Sequence, residues 1–363
     1  MDDVTAVHVA VRDCLSDLTP AGRVLVACSG GPDSLTLAAV TVTTARAHGF
    51  AAGAVVVDHG WSPAASAAGS AAAHECRSLG LDPVELVRVH ASGPGGPEAA
   101  ARDARYRALD EAAARRGAAA VLLGHTLDDQ AETVLLGLGR GSGARSLAGM
   151  PARRGVFRRP FLGVRREVVA RAGQALGLHP WHDPANDDPV YTRVRVRQLA
   201  PALEQALGPG VAQALARSAA MLREDADALD ALAAELVAVV TVSGELEDVP
   251  GRADRADRAG LEGRAGLDGR AGLEDGVVAG EPGVRAVVGP LRDALPALRR
   301  RALLELARRA GCPSGGLGHR HALALERLVL TGRGRVDLPG GVLARVDRGP
   351  GPRLSLCRRI VAG

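Results

Sequence analysis

The hexapeptide Ser29-Gly30-Gly31-Pro32-Asp33-Ser34 sets two hydroxyls, two glycines and a carboxylate between the apolar run Val24–Cys28 and a helical pattern that starts at Leu35. A strand turning tightly into a helix exposes the helix's first N–H groups, so an anion is the natural occupant of such a turn. Gly30 and Gly31 allow close backbone approach, Ser29 and Ser34 add hydroxyls, and Asp33 can hold Mg2+ against the bound oxygens. The Walker order of glycine, lysine and serine or threonine is absent. The chain has no lysine at all: its 45 basic residues are all arginine, so phosphate charge must be met by metal, arginine or backbone N–H groups.

A second concentration of acids lies in Leu127-Asp128-Asp129-Gln130-Ala131-Glu132. Asp128 and Glu132 are four apart and Asp129 and Glu132 three apart, so one helix face carries several carboxylates. Such a face can hold Mg2+, steer a cationic substrate or take its proton. Acids in a first helical turn are also favoured by the helix dipole alone, and that reading stays open. His125, just after the apolar run Ala118–Leu123, points to the same edge. Asp58 and His59 close a further apolar run, a normal place for ribose or adenine contacts.

These residues require a scaffold that gathers strand ends. From Arg23 to Met150, β-branched runs (24–28, 52–60, 83–90 and 118–125) alternate with helical patterns, most of them closed by glycine. Alternation of this kind predicts an α/β fold with a doubly wound parallel sheet, whose ligands bind at the carboxyl ends of the strands. Residues 200–240 read as a helical hairpin broken at Gly208–Gly210. Residues 252–276 hold three near-copies of a six-residue unit with one leucine each, too little to stack a core, which predicts a flexible filler. A helix at 295–311 and strand-like 334–349 complete a small α/β tail. The expected domains are 1–205 (catalytic), 206–245 (helical linker), 246–285 (insertion) and 286–363 (basic tail).

Composition sets further bounds. With 363 residues and 47% hydrophobic content the chain can bury more than one core. It has no run of eighteen apolar residues, and the acidic start at Asp2 and Asp3 is unlike a signal peptide, so a cytoplasmic protein with no membrane partner is expected. Five cysteines without a C-x-x-C pair indicate neither a zinc ribbon nor a disulfide framework. Residues 286–363 carry 15 arginines against 5 carboxylates and residues 150–200 carry 10 against 4, as expected if two surfaces face a polyanion. Arg193, Arg195 and Arg197 alternate, so an extended segment would point all three one way. Arg102 and Arg105 group with Glu98 and Tyr106 on one side of a predicted helix.

The loop 29–34 resembles the S-G-G-x-D-S loop of the PP-loop ATP pyrophosphatase superfamily, whose members split ATP between the α- and β-phosphates. Residues 124–151, 159–169 and 181–203 closely resemble the tRNA(Ile)-lysidine synthetase family, and the tail resembles its carboxyl-terminal RNA-binding domain more weakly. The resemblance implies ATP and Mg2+ as co-substrate and metal, and L-lysine and tRNA(Ile) with a CAU anticodon as partners; a homodimer is left open. It implies ATP binding by Ser29, Gly30, Gly31, Pro32, Asp33, Ser34, Asp58 and His59. Chemistry falls to Asp33, His125, Asp129 and Glu132, with Asp33 and Asp129 on the metal. It implies RNA contacts by Arg102, Arg105, Arg193, Arg195 and Arg197, and by Arg299, Arg300 and Arg301 in the tail. The implied reaction adenylates the C2 oxygen of the first anticodon cytidine, after which the lysine amine displaces AMP. Competing readings are a PP-loop tRNA thiolase, for which paired cysteines are missing from the sequence, and a catalytically inactive RNA-binding PP-loop protein. The chain departs from the family at Trp61 and Ser62 and at Val194.

Overall fold

The computed structural model describes residues 1–60, 62–90, 96–242, 278–347 and 351–360. The repeat at 252–276 and Trp61 lie outside them, as does the side chain of Glu98. Two compact units emerge, Met1–Glu224 and Asp225–Gly363.

The first unit opens with α1 (Asp3–Leu15), β1 (Arg23–Ala27), α2 (Pro32–Ala47), β2 (Ala51–Asp58), α3 (Pro63–Ser78), β3 (Val84–Arg88), α4 (Pro97–Arg116) and β4 (Ala118–Leu123). It continues with α5 (Leu127–Gly139), α6 (Ala144–Leu147), β5 (Arg153–Arg154), β6 (Phe157–Arg158), α7 (Arg166–Ala175) and α8 (Thr192–Leu207). The strands form one sheet in the order β3-β2-β1-β4-β6-β5, parallel except for β5. β1 through β4 coincide with the four apolar runs expected to be strands.

Alternate residues of β1 feed opposite layers, as the strand period demands. Val24, Val26 and Cys28 pack with residues of α1, α2, α3 and α7, whereas Leu25 and Ala27 pack with Leu109, Ala112 and Ala113 of α4. Chain order reverses at β1, which has β2 on one side and β4 on the other. That reversal opens a crevice beyond the carboxyl ends of β1 and β4, where loop 29–34 and His125 both lie.

α9 (Val211–Val240) carries residues of both units. The second unit adds β7 (Val278–Val287), α10 (Val288–Asp293), α11 (Pro296–Arg309), α12 (His319–Thr331), β8 (Arg335–Leu338), β9 (Val342–Asp347) and β10 (Arg353–Ile360). Its antiparallel sheet, in the order β7-β10-β9-β8, shares a core with Val237, Leu303, Leu306 and Leu325. β7 begins inside the segment that composition assigns to the insertion. The strand is recovered there because Val284 and Ala286 pair with β10 and enter the core, a long-range contact that local composition does not carry.

No helix among the described residues is long and apolar enough to cross a membrane.

Candidate active site

The loop after β1 is braced from within. Gly30 holds φ at +81°, and a Cβ there would stand 3.0 Å from the Cβ of Ala72; glycine meets both demands. Ser34 Oγ accepts the Ser29 N–H at 3.1 Å, lies 3.1 Å from Ser29 Oγ and donates to the Gly31 carbonyl at 3.1 Å. The Trp181 N–H donates to the Gly30 carbonyl at 2.9 Å. Gly31 is the N-cap of α2, Pro32 starts the helix, and no side chain caps it. The first-turn N–H groups therefore have no side-chain cap and are open to an anion.

Across the crevice, Thr126 caps α5 in a reciprocal box with Asp129. Asp129 Oδ2 accepts from the Thr126 N–H at 2.7 Å and its hydroxyl at 2.8 Å, while Oδ1 accepts from Arg166 Nη2 at 2.7 Å. Burial works against charge on Asp129, but the Arg166 guanidinium and the Thr126 bonds outweigh it and hold the carboxyl below its usual range. Glu132 is buried; its Oε1 accepts from Arg166 Nη2 at 3.1 Å and Arg197 Nε at 2.9 Å. Arg166 Nε stands 3.8 Å from Asp33 Oδ2. Burial raises the Asp33 carboxyl to about 6, with Arg166 opposing and Asp129 adding to the rise. Asp33 Oδ1 and Glu132 Oε2 are buried without a hydrogen-bond partner. Two open carboxylate oxygens in a buried polar setting are hard donors that suit Mg2+. Among the described residues no group of three His, Cys, Asp or Glu side chains has metal-site spacing by itself.

The crevice's other flank is cationic. Burial, reinforced by Arg105 and Arg159, pushes His125 down to about 3, so the ring is neutral at pH 7, and its buried Nδ1 has no partner. Arg159 is buried, donating to the Pro151 carbonyl at 2.8 Å and the Tyr106 hydroxyl at 3.2 Å. Arg102 lies over the Tyr106 ring at 5.1 Å, and with Tyr106, Arg107, Arg154 and Phe157 it lines a cavity of about 620 Å³. Asp58 ends β2 with Oδ1 on the Gly60 N–H at 2.8 Å and Oδ2 on Arg88 Nε at 3.3 Å, which keeps its carboxyl low. Burial lowers the adjacent His59, with Arg105 adding to the effect. Arg159 and Arg166 were missed in the sequence because nothing local distinguishes them from eight other arginines in residues 150–200.

A family model described as a PP-loop domain matches residues 5–203. The tRNA(Ile)-lysidine synthase of Thermobifida fusca is 49% identical over 342 residues, 93% of either chain. The chain belongs to the tRNA(Ile)-lysidine synthase family. The lysidine synthase of Streptomyces coelicolor is 46% identical over 343 residues, covering 92% of this chain and 85% of that one. A solved U34-tRNA thiolase from Methanococcus maripaludis covers 61% of this chain and 80% of its own at 21% identity with a TM-score of 0.52, a likeness of fold. In this lysidine synthase-family chain Cys28 and Cys76 are both free thiols buried in the same core layer.

Several arginines expected to face RNA are placed otherwise. Residues 193–197 are not extended: α8 begins at Thr192, so Arg193 and Arg197 share a face and Arg195 turns away. Val194 is buried, and that tertiary contact overrides the alternating pattern. Arg195 closes the preceding turn on the Pro189 carbonyl at 2.6 Å, and Arg197 reaches Glu132. In α11, Arg299 is buried on Glu326, Arg300 meets the same carboxylate at 2.7 Å and Arg301 meets Asp230 at 2.5 Å. These three therefore brace the second unit. Exposed arginines stand instead on its sheet, where Arg285 and Arg345 flank Ser355 in register and Arg335 pairs with Arg345. Trp181 is half-buried and Tyr191 is 42% exposed.

Proposed function

We propose that this chain is a tRNA(Ile)-lysidine synthetase acting on the CAU-anticodon tRNA in the cytoplasm. The observation that carries the reading is that one sheet edge joins an anion-binding helix N-terminus to an acid cluster with two open oxygens. ATP binds with its phosphates on loop 29–34. The C2 oxygen of the cytidine attacks the α-phosphorus, the bond to the bridging oxygen of the β-phosphate breaks, and pyrophosphate leaves with the electron pair. The first-turn N–H groups of α2 receive charge that gathers on that leaving group. Mg2+, held by Asp33 with Asp129 or Glu132, would offset the same charge.

In the second step the lysine amine attacks C2, the C2–O bond breaks and AMP leaves. The amine must first lose a proton, and Glu132 Oε2 or the neutral His125 is the acceptor. Arg102 and Arg105 belong to the face that meets phosphate, with the buried Arg159 bracing Tyr106 beside them. The domain division at 205, 245 and 285 belongs to the same reading, with the tail adding tRNA affinity.

The test is transfer of labelled lysine to tRNA(Ile) by purified protein with ATP and Mg2+, scoring AMP and pyrophosphate. Lysine-labelled tRNA with both products supports the ligase. Pyrophosphate without labelled tRNA points to another nucleophile, and neither product points to an inactive RNA-binding protein.

A further inference from the structure

Arg166 touches every carboxylate of the cluster, and its place is set by backbone. Its N–H donates to Asp128 Oδ2 at 2.7 Å, and the Leu127 N–H donates to the Val164 carbonyl at 2.9 Å, so the start of α7 is fastened to the start of α5. From there one guanidinium nitrogen serves Asp129 Oδ1 and Glu132 Oε1 together. Asp129 then has no open oxygen, because Thr126 holds the other one. Glu132 keeps Oε2, and Asp33 keeps Oδ1. Four carboxylates (Asp33, Asp128, Asp129 and Glu132) against the three guanidinium groups of Arg165, Arg166 and Arg197 leave one negative charge in a largely buried place, a standing demand for a further cation.

We infer that Arg166 is a positioning residue that engages Asp129 and one oxygen of Glu132, thereby assigning the incoming cation to Asp33 Oδ1 and Glu132 Oε2. Asp129 on this assignment orients Arg166 and does not touch the ligand. The shared chemistry is a hard cation, either the divalent metal or the substrate ammonium, and naming those two rests on the function proposed above.

The experiment uses the full chain and two readouts: Mn2+ binding followed by electron paramagnetic resonance without nucleotide, and kcat and KM for lysine in the complete reaction. Asp33→Asn and Glu132→Gln each weaken the cation readout by about tenfold or more, whereas Asp129→Asn changes it by less than about threefold. Arg166→Gln leaves more uncompensated negative charge, so Mn2+ binds more tightly while kcat falls by about tenfold or more. A merely structural arginine would not separate those two effects. Arg166→Lys keeps the charge without the fork, returning Mn2+ affinity to near wild type and only part of kcat. If Mn2+ responds only to the acid substitutions that leave the lysine KM unchanged, the site is a metal site; if only the lysine KM responds, it is an ammonium site. Asp129→Asn costing as much as Asp33→Asn in both readouts overturns the assignment, as does weaker Mn2+ binding in Arg166→Gln. A wild-type chain that transfers no lysine while these binding differences hold sinks the proposed function and leaves the role of Arg166 standing.

Discussion

Gly124 packs its backbone directly onto Asp33: a Cβ built on Gly124 would stand 3.1 Å from both the carbonyl carbon and oxygen of Asp33 and 3.2 Å from Ser34 Cα. The end of β4 and the first turn of α2 are therefore in backbone contact, which is how the anion loop and His125 come to share a crevice. Backbone cannot swing aside as a side chain can. Gly124→Ala is expected to displace the loop, lowering pyrophosphate release by about tenfold or more and stability by about 1–3 kcal/mol. A melting curve and an initial-rate assay check it; unchanged values in both would mean that α2 yields freely.

Asp33 titrates near 6 rather than at its ordinary 3.8, chiefly through burial. The folded chain holds this proton more tightly than the unfolded one, so the group's contribution to stability declines as pH rises from about 4 to about 6 and is level above that. Activity runs the other way, because a metal or cationic substrate needs the carboxylate. Rate at limiting Mg2+ is expected to climb through about pH 6, and added Mg2+ to move that limb to lower pH. A limb that ignores Mg2+ would separate Asp33 from the metal.

His125 is held neutral by burial and by Arg105 and Arg159. Removing one of those charges, as in Arg105→Gln, is expected to raise its pKa, observable in the ring resonances across a pH titration. The wild-type rate profile then shows no histidine limb between pH 5 and 8. A His125 resonance titrating near 6.5 in the wild type would contradict the shielding.

The sequence reveals the strand ends and the loop because both are local: apolar runs bounded by glycine specify β1 to β4, and the Ser29–Ser34 turn needs only its own residues. Asp129 and Glu132 are likewise close in sequence on one helix. Arg166 and Arg159 come from beyond β6, and their roles depend on contacts with α5 and α4 that no spacing rule encodes. Arg193 to Arg197 fail differently, since their alternation imitates a strand while burial of Val194 selects a helix. Arg299 to Arg301 look like an exposed basic stripe because Glu326 and Asp230, their partners, are distant in sequence.

Arg299 and Glu326 form a buried pair, with the guanidinium also reaching the Arg292 carbonyl at 2.8 Å and the Ala294 carbonyl at 2.9 Å. Removing Arg299 leaves the buried Glu326 carboxylate with Arg300 as its remaining partner and frees the Arg292 and Ala294 carbonyls. Arg299→Ala is expected to cost the second unit about 1–3 kcal/mol, read by denaturant unfolding. A loss below about 1 kcal/mol would place Arg299 with ordinary surface ion pairs.

Residues 225–363 contain no Phe, Trp or Tyr, which leaves His319 and His321 as the second unit's aromatic rings, so its grip on RNA is expected to come chiefly through phosphates. Its α11 arginines are held by Glu326 and Asp230; Arg285, Arg335 and Arg345 stand exposed in adjoining register on the sheet, with Arg345 also on Asp347 Oδ1 at 3.0 Å. Each phosphate contact releases counterions and steepens the salt dependence of binding by about 0.7–0.9 in the log-log slope. Replacing Arg285, Arg335 and Arg345 together by Gln is therefore expected to flatten the slope for tRNA by about two, while Arg300→Gln with Arg301→Gln leaves it nearly unchanged. Filter binding from low to moderate salt makes the comparison. The opposite ranking would move the RNA contact to α11 and require its ion pairs to open on binding, and an unchanged slope in both would remove the second unit from the interface.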